Sequence, residues 1–362
     1  MTQLLAIDIG GGTQDILLLD TSTTIENCIK MVLPSPTTLV ARRIQKATAL
    51  RKPLLFTGVN MGGGPSTSAL KKHLRAGLQA FATPEAATTF NDDLQEVASW
   101  GVTLISADEA RRHKNAEHID TRDLDLSKIS KTLEAVGVEM RLDGVAVAVQ
   151  DHGAAPPNMS DRLFRFQHLH RSVEANNSLF TFAYLAKEVP PHLTRMLAVA
   201  KSLTLDVPLL LLDTGPAAAL GALEDMAVRE QPRAIVVNIG NFHTLAFHLR
   251  QEHIMGLFEH HTGALDTEQL DDFIVRLCRG QLSQEEIFSN GGHGCFILSP
   301  EDSLPFLAVT GPRRRLMRSS SLKPHFAVPH GDMMLSGCFG LVSALAHKLP
   351  DWREEIEKTL GL

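Results

Sequence analysis

The 362-residue chain carries 35 Lys and Arg against 41 Asp and Glu, a formal net charge of −6, with 44% hydrophobic and 21% charged residues. That length is long for one core and comfortable for two domains, and the acidic balance supplies no field to gather DNA, RNA or an anionic membrane. No run approaches the roughly 20 apolar residues that span a bilayer, and Cys28, Cys278, Cys295 and Cys338 form no CxxC pair, which excludes a compact zinc finger or an iron–sulfur triplet.

The start, MTQLLAIDIG, lacks a basic n-region, so a reduced, cytoplasmic protein is expected. Residues 4 to 20, LLAIDIGGGTQDILLLD, read as two strands joined by a glycine turn. Gly10, Gly11 and Gly12, followed by Thr13 and Gln14, let backbone N–H groups approach an anion, and Asp8 at the strand end suits a hydrated divalent cation. A plain hairpin is the alternative. NCIKMVL gives a third strand, and TTLVARRIQKATAL has helical spacing. A strand over Pro53 to Val59 leads to Gly62, Gly63 and Gly64, either a ligand-facing loop or a wide turn. Ser66 or Thr67 then caps a helix over residues 68–81.

Residues 84–120 predict a helix near Asp92 to Ser99, a strand VTLIS and an insertion into the first domain. LSKISKTLEAVG is a helix with Gly137 past its end, and LDGVAVAVQDHG a buried strand terminating at Asp151 and His152. Alternating strands and helices imply a mainly parallel sheet with ligands beyond the strands' carboxyl ends, where Asp151 falls. Residues 153–192 break the pattern and read as a lid or substrate-facing insertion. Within it, His168 and His170 are either a metal pair or solvated or core histidines. LTRMLAVAKSL is helical and VPLLLLDTG is a strand ending at Asp213. Pro216 to Arg229 reads as one Ala-rich helix suited to close contact.

AIVVNIGNFHTLAFHL, residues 234–249, repeats the opening pattern: Asn238, Ile239, Gly240, a turn with Asn241, then Thr244 and a strand. The histidines of this half, His243, His260, His261, His293 and His330, gather in loops, where they could bind metal, relay protons or hold an anionic substrate. Arg313, Arg314, Arg315 and Arg318 follow a Gly311–Pro312 turn, and are either a solvated helix start or an anion contact.

Taken in order, DIGGGTQD, DTGPAAALGAL, VVNIGNFHT, FLAVTGPRR and DMMLSGCFGLVSAL resemble the phosphate, connecting and adenosine motifs of the superfamily of acetate and sugar kinases, heat-shock chaperone ATPases and actin. The whole chain, with its EHHTG and GGHG strings, is also similar to an uncharacterised bacterial and archaeal family labelled a pyruvate formate-lyase activating protein. A radical activating enzyme requires CxxxCxxC, which these cysteines cannot supply.

The superfamily resemblance implies an α/β fold of two ribonuclease-H-like (actin-like ATPase) domains around a nucleotide cleft. They would comprise residues 1–212, with an insertion near 153–192, and residues 213–362, whose last helix packs back on the first. It implies ATP and Mg²⁺, with Asp8 on the metal, Gly10 to Thr13 cradling phosphates, Gly240 and Thr244 covering them, and Gly311 and Pro312 under the adenosine. The second phosphate motif of that superfamily usually begins with Asp, whereas here it begins with Asn238, a neutral amide that cannot act as a base. A catalytic acid or base then comes from Asp151 or Asp213, unless these are turn or N-cap residues. His152 and the loop histidines are candidates for substrate or a second metal.

The expected function is Mg-dependent phosphoryl transfer to a small molecule, or ATP hydrolysis coupled to domain closure. The alternative is a non-catalytic nucleotide- or metal-binding protein. A small molecule or a protein is the expected partner, a homo-oligomer is open, and nucleic acid and membrane are not expected.

Overall fold

The computed structural model describes residues 2–204 and 206–361. Two six-stranded sheets share one plan. In the first, the order across the sheet is Ile29–Pro34, Thr13–Asp20, Gln3–Ile9, Gly144–Val149, Leu209–Leu212 and Ala183–Leu185. In the second it is Gly294–Ile297, His253–His261, His243–Arg250, Ala234–Ile239, Phe306–Thr310 and His325–Phe326. Each holds a three-stranded antiparallel meander whose first strand continues into two parallel strands. This is the ribonuclease-H-like arrangement, present twice, with one further edge strand on each copy.

The central strands are apolar except near their carboxyl ends, where Asp8 and Asn238 lie, because both of their faces are covered. Leu4 and Ala6 point into the core shared by the two sheets, and Leu5, Ile7 and Ile9 into the core on the other face. Between the sheets lie two helices, Thr214–Ala222 and Ser336–Lys348, both almost wholly buried. They cross at glycines: a Cβ on Gly221 would overlap the Ser336 carbonyl, and one on Gly340 the Ala217 carbonyl. The small residues of the Ala-rich run are thus the contact surface itself.

A separate four-stranded parallel sheet, ordered Val102–Leu104, Ala80–Ala82, Leu54–Gly58 and Glu117–Thr121, stands beside the first with its own core around Phe56, Leu70 and Val97. It is drawn from residues 54–121. Residues 153–192 are instead woven into the main body: the Asp161–Ala175 helix sends Phe166 and Leu169 into the shared core, and Ala183–Leu185 edges the first sheet.

Two helices differ from the sequence reading. The one expected over 68–81 runs Gly64–Arg75, with Pro65 in its first turn, and stops before Gly77, which takes a left-handed φ of 73°; Ala80–Ala82 is then a strand. The run Pro216 to Arg229 forms two helices, because Asp225 turns its side chain onto Ala227 N–H and caps a new one at Met226–Arg229. Among the described residues, no helix is long and apolar enough to cross a membrane.

If the helix crossing holds the halves together, Gly221→Ala or Gly340→Ala must push backbone from backbone. Each should lower the unfolding free energy by about 2–3 kcal/mol or more, read from urea denaturation. A loss within ±0.5 kcal/mol would show that the crossing yields freely.

Candidate functional site

The two glycine turns meet. In the first hairpin Ile9 pairs with Gln14, and in the second Ile239 pairs with Thr244. Each turn closes alike: Gly10 N–H donates to the Thr13 carbonyl (3.0 Å) and Gly240 N–H to the His243 carbonyl (2.9 Å). Across the gap, Gly11 lies so close to the Phe242 ring, and Gly12 to the Asn241 amide, that neither has room for a Cβ. The first turn is tied down by Ser35, whose hydroxyl donates to Gly11 O (3.0 Å) and whose N–H donates to Gly12 O (3.0 Å). The second is held by Thr262, whose hydroxyl donates to Gly240 O (2.9 Å).

Behind the turns opens a cleft of about 840 Å³, bounded by both six-stranded sheets and by loops 60–65 and 88–92 beside the four-stranded one, a size that suits a small-molecule or cofactor ligand. Of the residues singled out in the sequence, Asp8, Gly10, Gly11, Thr13, Gly62, Gly63, Gly64, Asp151, His152, Asn238, Gly240, Asn241, His243, His261, Gly311, Pro312 and Arg313 line it. Gly12, Gln14, Asp213, Thr244, His260, His293 and His330 do not.

The register explains one of these. His243, not Thr244, occupies the place of Thr13, while the fully buried Thr244 hydroxyl meets that of Thr262 at 3.0 Å. His260 contacts the His261 carbonyl and Asn290, and His330 lies against Glu224 and the Phe339 ring. Gly311, at φ 94°, lies against the Ile239 carbonyl and the Asn238 amide, where any side chain would collide.

Asp8 forms the floor, with Gly337 of the last long helix pressed against its carboxylate. Its strand partner Asp15 also lines the cleft. Asp8 Oδ1 and Asp15 Oδ1 are both buried without a hydrogen-bond partner. Burial, and then the neighbouring Asp15, hold the Asp8 carboxyl well above the usual range; burial pushes Asp15 up to about 7 against the Thr13 hydroxyl. Two orphaned carboxylate oxygens buried at one cleft floor fit a hard divalent cation. Asp15 was legible as the residue opposite Asp8 across the turn, but sequence reasoning passed over it.

The proposed acids are otherwise engaged. Asp213 caps Gly215 N–H (3.1 Å) and receives Arg165 in a two-pronged contact at 2.6 and 3.1 Å. Asp151 accepts Gly153 N–H and Met196 N–H, each at 2.8 Å; burial raises its carboxyl and these two donors oppose the rise. Arg165, fully buried, also grips Glu259 of the second sheet at 2.9 Å, and so ties the two halves together. Arg195, absent from the sequence reading, faces the cleft beside Gly62 while bonded to Asp123 and to the Gln150 carbonyl.

Twice-used ribonuclease-H-like sheets, opposed glycine turns and a helix pair under the cleft define an actin-like ATPase fold of the kind that sugar kinases share. The chain belongs to the family described as "Putative pyruvate format-lyase activating enzyme (DUF1786)", whose model matches residues 61–316. No curated protein matches the sequence.

Among solved structures, it is similar to an inorganic polyphosphate/ATP-glucomannokinase from Arthrobacter sp. strain KM (10% identity, 96% of this chain and 100% of that one, TM-score 0.37). It is also similar to a chain of the PilM–PilN type IV pilus biogenesis complex (14% identity, 95% and 98%, TM-score 0.37). Of a ROK family transcriptional regulator homologous to the E. coli MLC protein it spans only 37% (8% identity, 70% of this chain, TM-score 0.27). The four cysteines are buried with separate neighbours: Cys28 by Asp20, Cys278 by Glu301, Cys295 by Leu282 and Cys338 by Asp15. They offer no common site for an iron–sulfur cluster.

Because the folded-state value of Asp15 lies above its ordinary 3.8, folding favours the protonated acid. The position is neutral to stability below about pH 4 and increasingly costly as pH rises through 7. Asp15→Asn should therefore raise Tm by several degrees at pH 8, with the gain shrinking steadily toward pH 5. Equal gains at both pH values would contradict this origin.

Proposed function

We propose that the cleft binds ATP with Mg²⁺ and that the protein transfers or hydrolyses the terminal phosphate. The observation that carries this reading is the pair of orphaned carboxylate oxygens on Asp8 and Asp15 beneath two facing backbone turns: a cation seat next to an anion cradle. Asp8 would hold the metal's hydration shell with Asp15 beside it. Gly10, Gly11 and Thr13 on one side, and Gly240 and Asn241 on the other, would present N–H groups to the phosphates. The first turn of the Thr214–Ala222 helix, Thr214 and Gly215, adds the positive end of a helix. Gly311 and Pro312 would accept the flat face of the base or ribose.

The metal, when bound, supplies charge neutralisation at the phosphate oxygens. The chain's own residues orient the nucleotide and shut out water, and transfer of this type rests chiefly on such positioning.

A second reading, binding without turnover, is favoured by one set of observations: position 238 is Asn, and Asp151 and Asp213 already spend their oxygens on backbone and on Arg165. Mg-dependent ATP turnover by wild type, Asp8→Ala and Asn238→Asp separates the two. Catalysis predicts wild-type turnover that Asp8→Ala cuts by about 100-fold or more. Nucleotide binding with no turnover in wild type or in Asn238→Asp would give the second reading.

A further inference from the structure

Beside the cleft stands a group of histidines that nucleotide binding does not use. His152 follows the Gly144–Val149 strand of the first sheet, His243 opens a strand of the second, and His293 immediately precedes the Gly294–Ile297 strand. One ring nitrogen from each lies within 4.8 Å of the others. His152 Nε2 and His293 Nε2 are 3.3 Å apart. Two nitrogens each about 2.0–2.1 Å from one tetrahedral zinc ion would be separated by about 3.4 Å. We propose that His152, His243 and His293 bind a single transition-metal ion, zinc by donor type, in a three-imidazole site whose fourth position opens to the cleft.

Two features support the assignment. First, the hydrogen-bonding of the group is incomplete: His243 Nε2 and His293 Nδ1 are buried with no partner, and buried polar atoms are seldom left so without something to satisfy them. Second, the nearest cation is already countered, since Arg165 is met by two carboxylates, Asp213 and Glu259, which leave that group one negative charge in excess.

His152 and His243 line the cleft whereas His293 is buried behind them, so the free position faces the cavity. A fourth ring, His261, stands 5.0 and 4.9 Å from the His243 and His293 rings, with its Nδ1 donating to the Gly291 carbonyl. Imidazole nitrogens in tetrahedral array suit zinc and exclude magnesium, which demands oxygen and octahedral geometry. The site is therefore distinct from the Asp8 seat and draws ligands from both halves of the molecule. It would bring a Lewis acid, or the water it holds, to the edge of the proposed phosphate position.

The test uses the full-length protein, stripped with a chelator and then titrated with Zn²⁺ alone, without nucleotide. One tightly held equivalent per chain by elemental analysis is expected. Co²⁺ in its place should give the intense visible bands of a four-coordinate ion. His152→Gln and His243→Gln should each weaken Zn²⁺ binding by at least about 100-fold, whereas Asp8→Ala retains the full equivalent. Stoichiometry well below one, a six-coordinate cobalt spectrum, or histidine variants that bind as wild type would each overturn the proposal. Because the cobalt spectrum is read on the wild-type protein, a variant that misfolds does not decide the matter. Since the metal is measured without ATP, failure of the nucleotide reading leaves this result standing, and the reverse also holds.

Discussion

The molecule depends on one close approach, the backbone-to-backbone crossing of the Thr214–Ala222 and Ser336–Lys348 helices between the two main sheets. Any side chain at Gly221 or Gly340 would widen the gap, and the sheets on either side would separate with it. The crossing also brings the starts of both helices to the cleft floor, with Thr214 and Gly215 on one and Ser336 and Gly337 on the other. Gly337 presses on Asp8 itself. Packing and chemistry are therefore one constraint: the glycines that let the halves join also bring a helix start against the acid.

A second tie runs through Arg165. Its guanidinium is buried between Asp213 at the end of a first-sheet strand and Glu259 in the second sheet, and Gln150 also donates to Glu259 at 3.0 Å. Burying such a triad gains little net stability, because desolvation offsets attraction. Its geometry nevertheless fixes how the cleft wall is built and consumes an aspartate whose strand-end position suggested catalysis. The floor tells a similar story. Asp8 and Asp15 are desolvated and face like charge, an arrangement that costs stability and is understandable where a cation is to be received.

What the sequence disclosed follows from range. Asp8, the Gly10–Thr13 turn and its second copy around Gly240 are written in consecutive residues, and the buried strands announce themselves by continuous apolar runs. The repeat could be seen but not its register: Thr13 and Thr244 look equivalent as letters, whereas the hairpin pairing makes His243 the counterpart of Thr13. The four-stranded sheet was half legible: Pro53 to Val59 and VTLIS read as strands, whereas Ala80–Ala82 is too short to carry a period and Glu117–Thr121 has no apolar run. The fate of Asp213 was hidden too, since nothing local says that Arg165, far away in sequence, will reach it. The histidine group comes from positions 152, 243 and 293, gathered only when two halves fold onto each other, so no spacing rule could have found it.

A single nucleotide between the two turns would be read directly by amide hydrogen exchange with and without saturating Mg·ATP. Exchange should slow together in residues 10–13 and 240–243, because the same phosphates would face both. Protection of one turn alone, or of neither while ATP is bound, would contradict it.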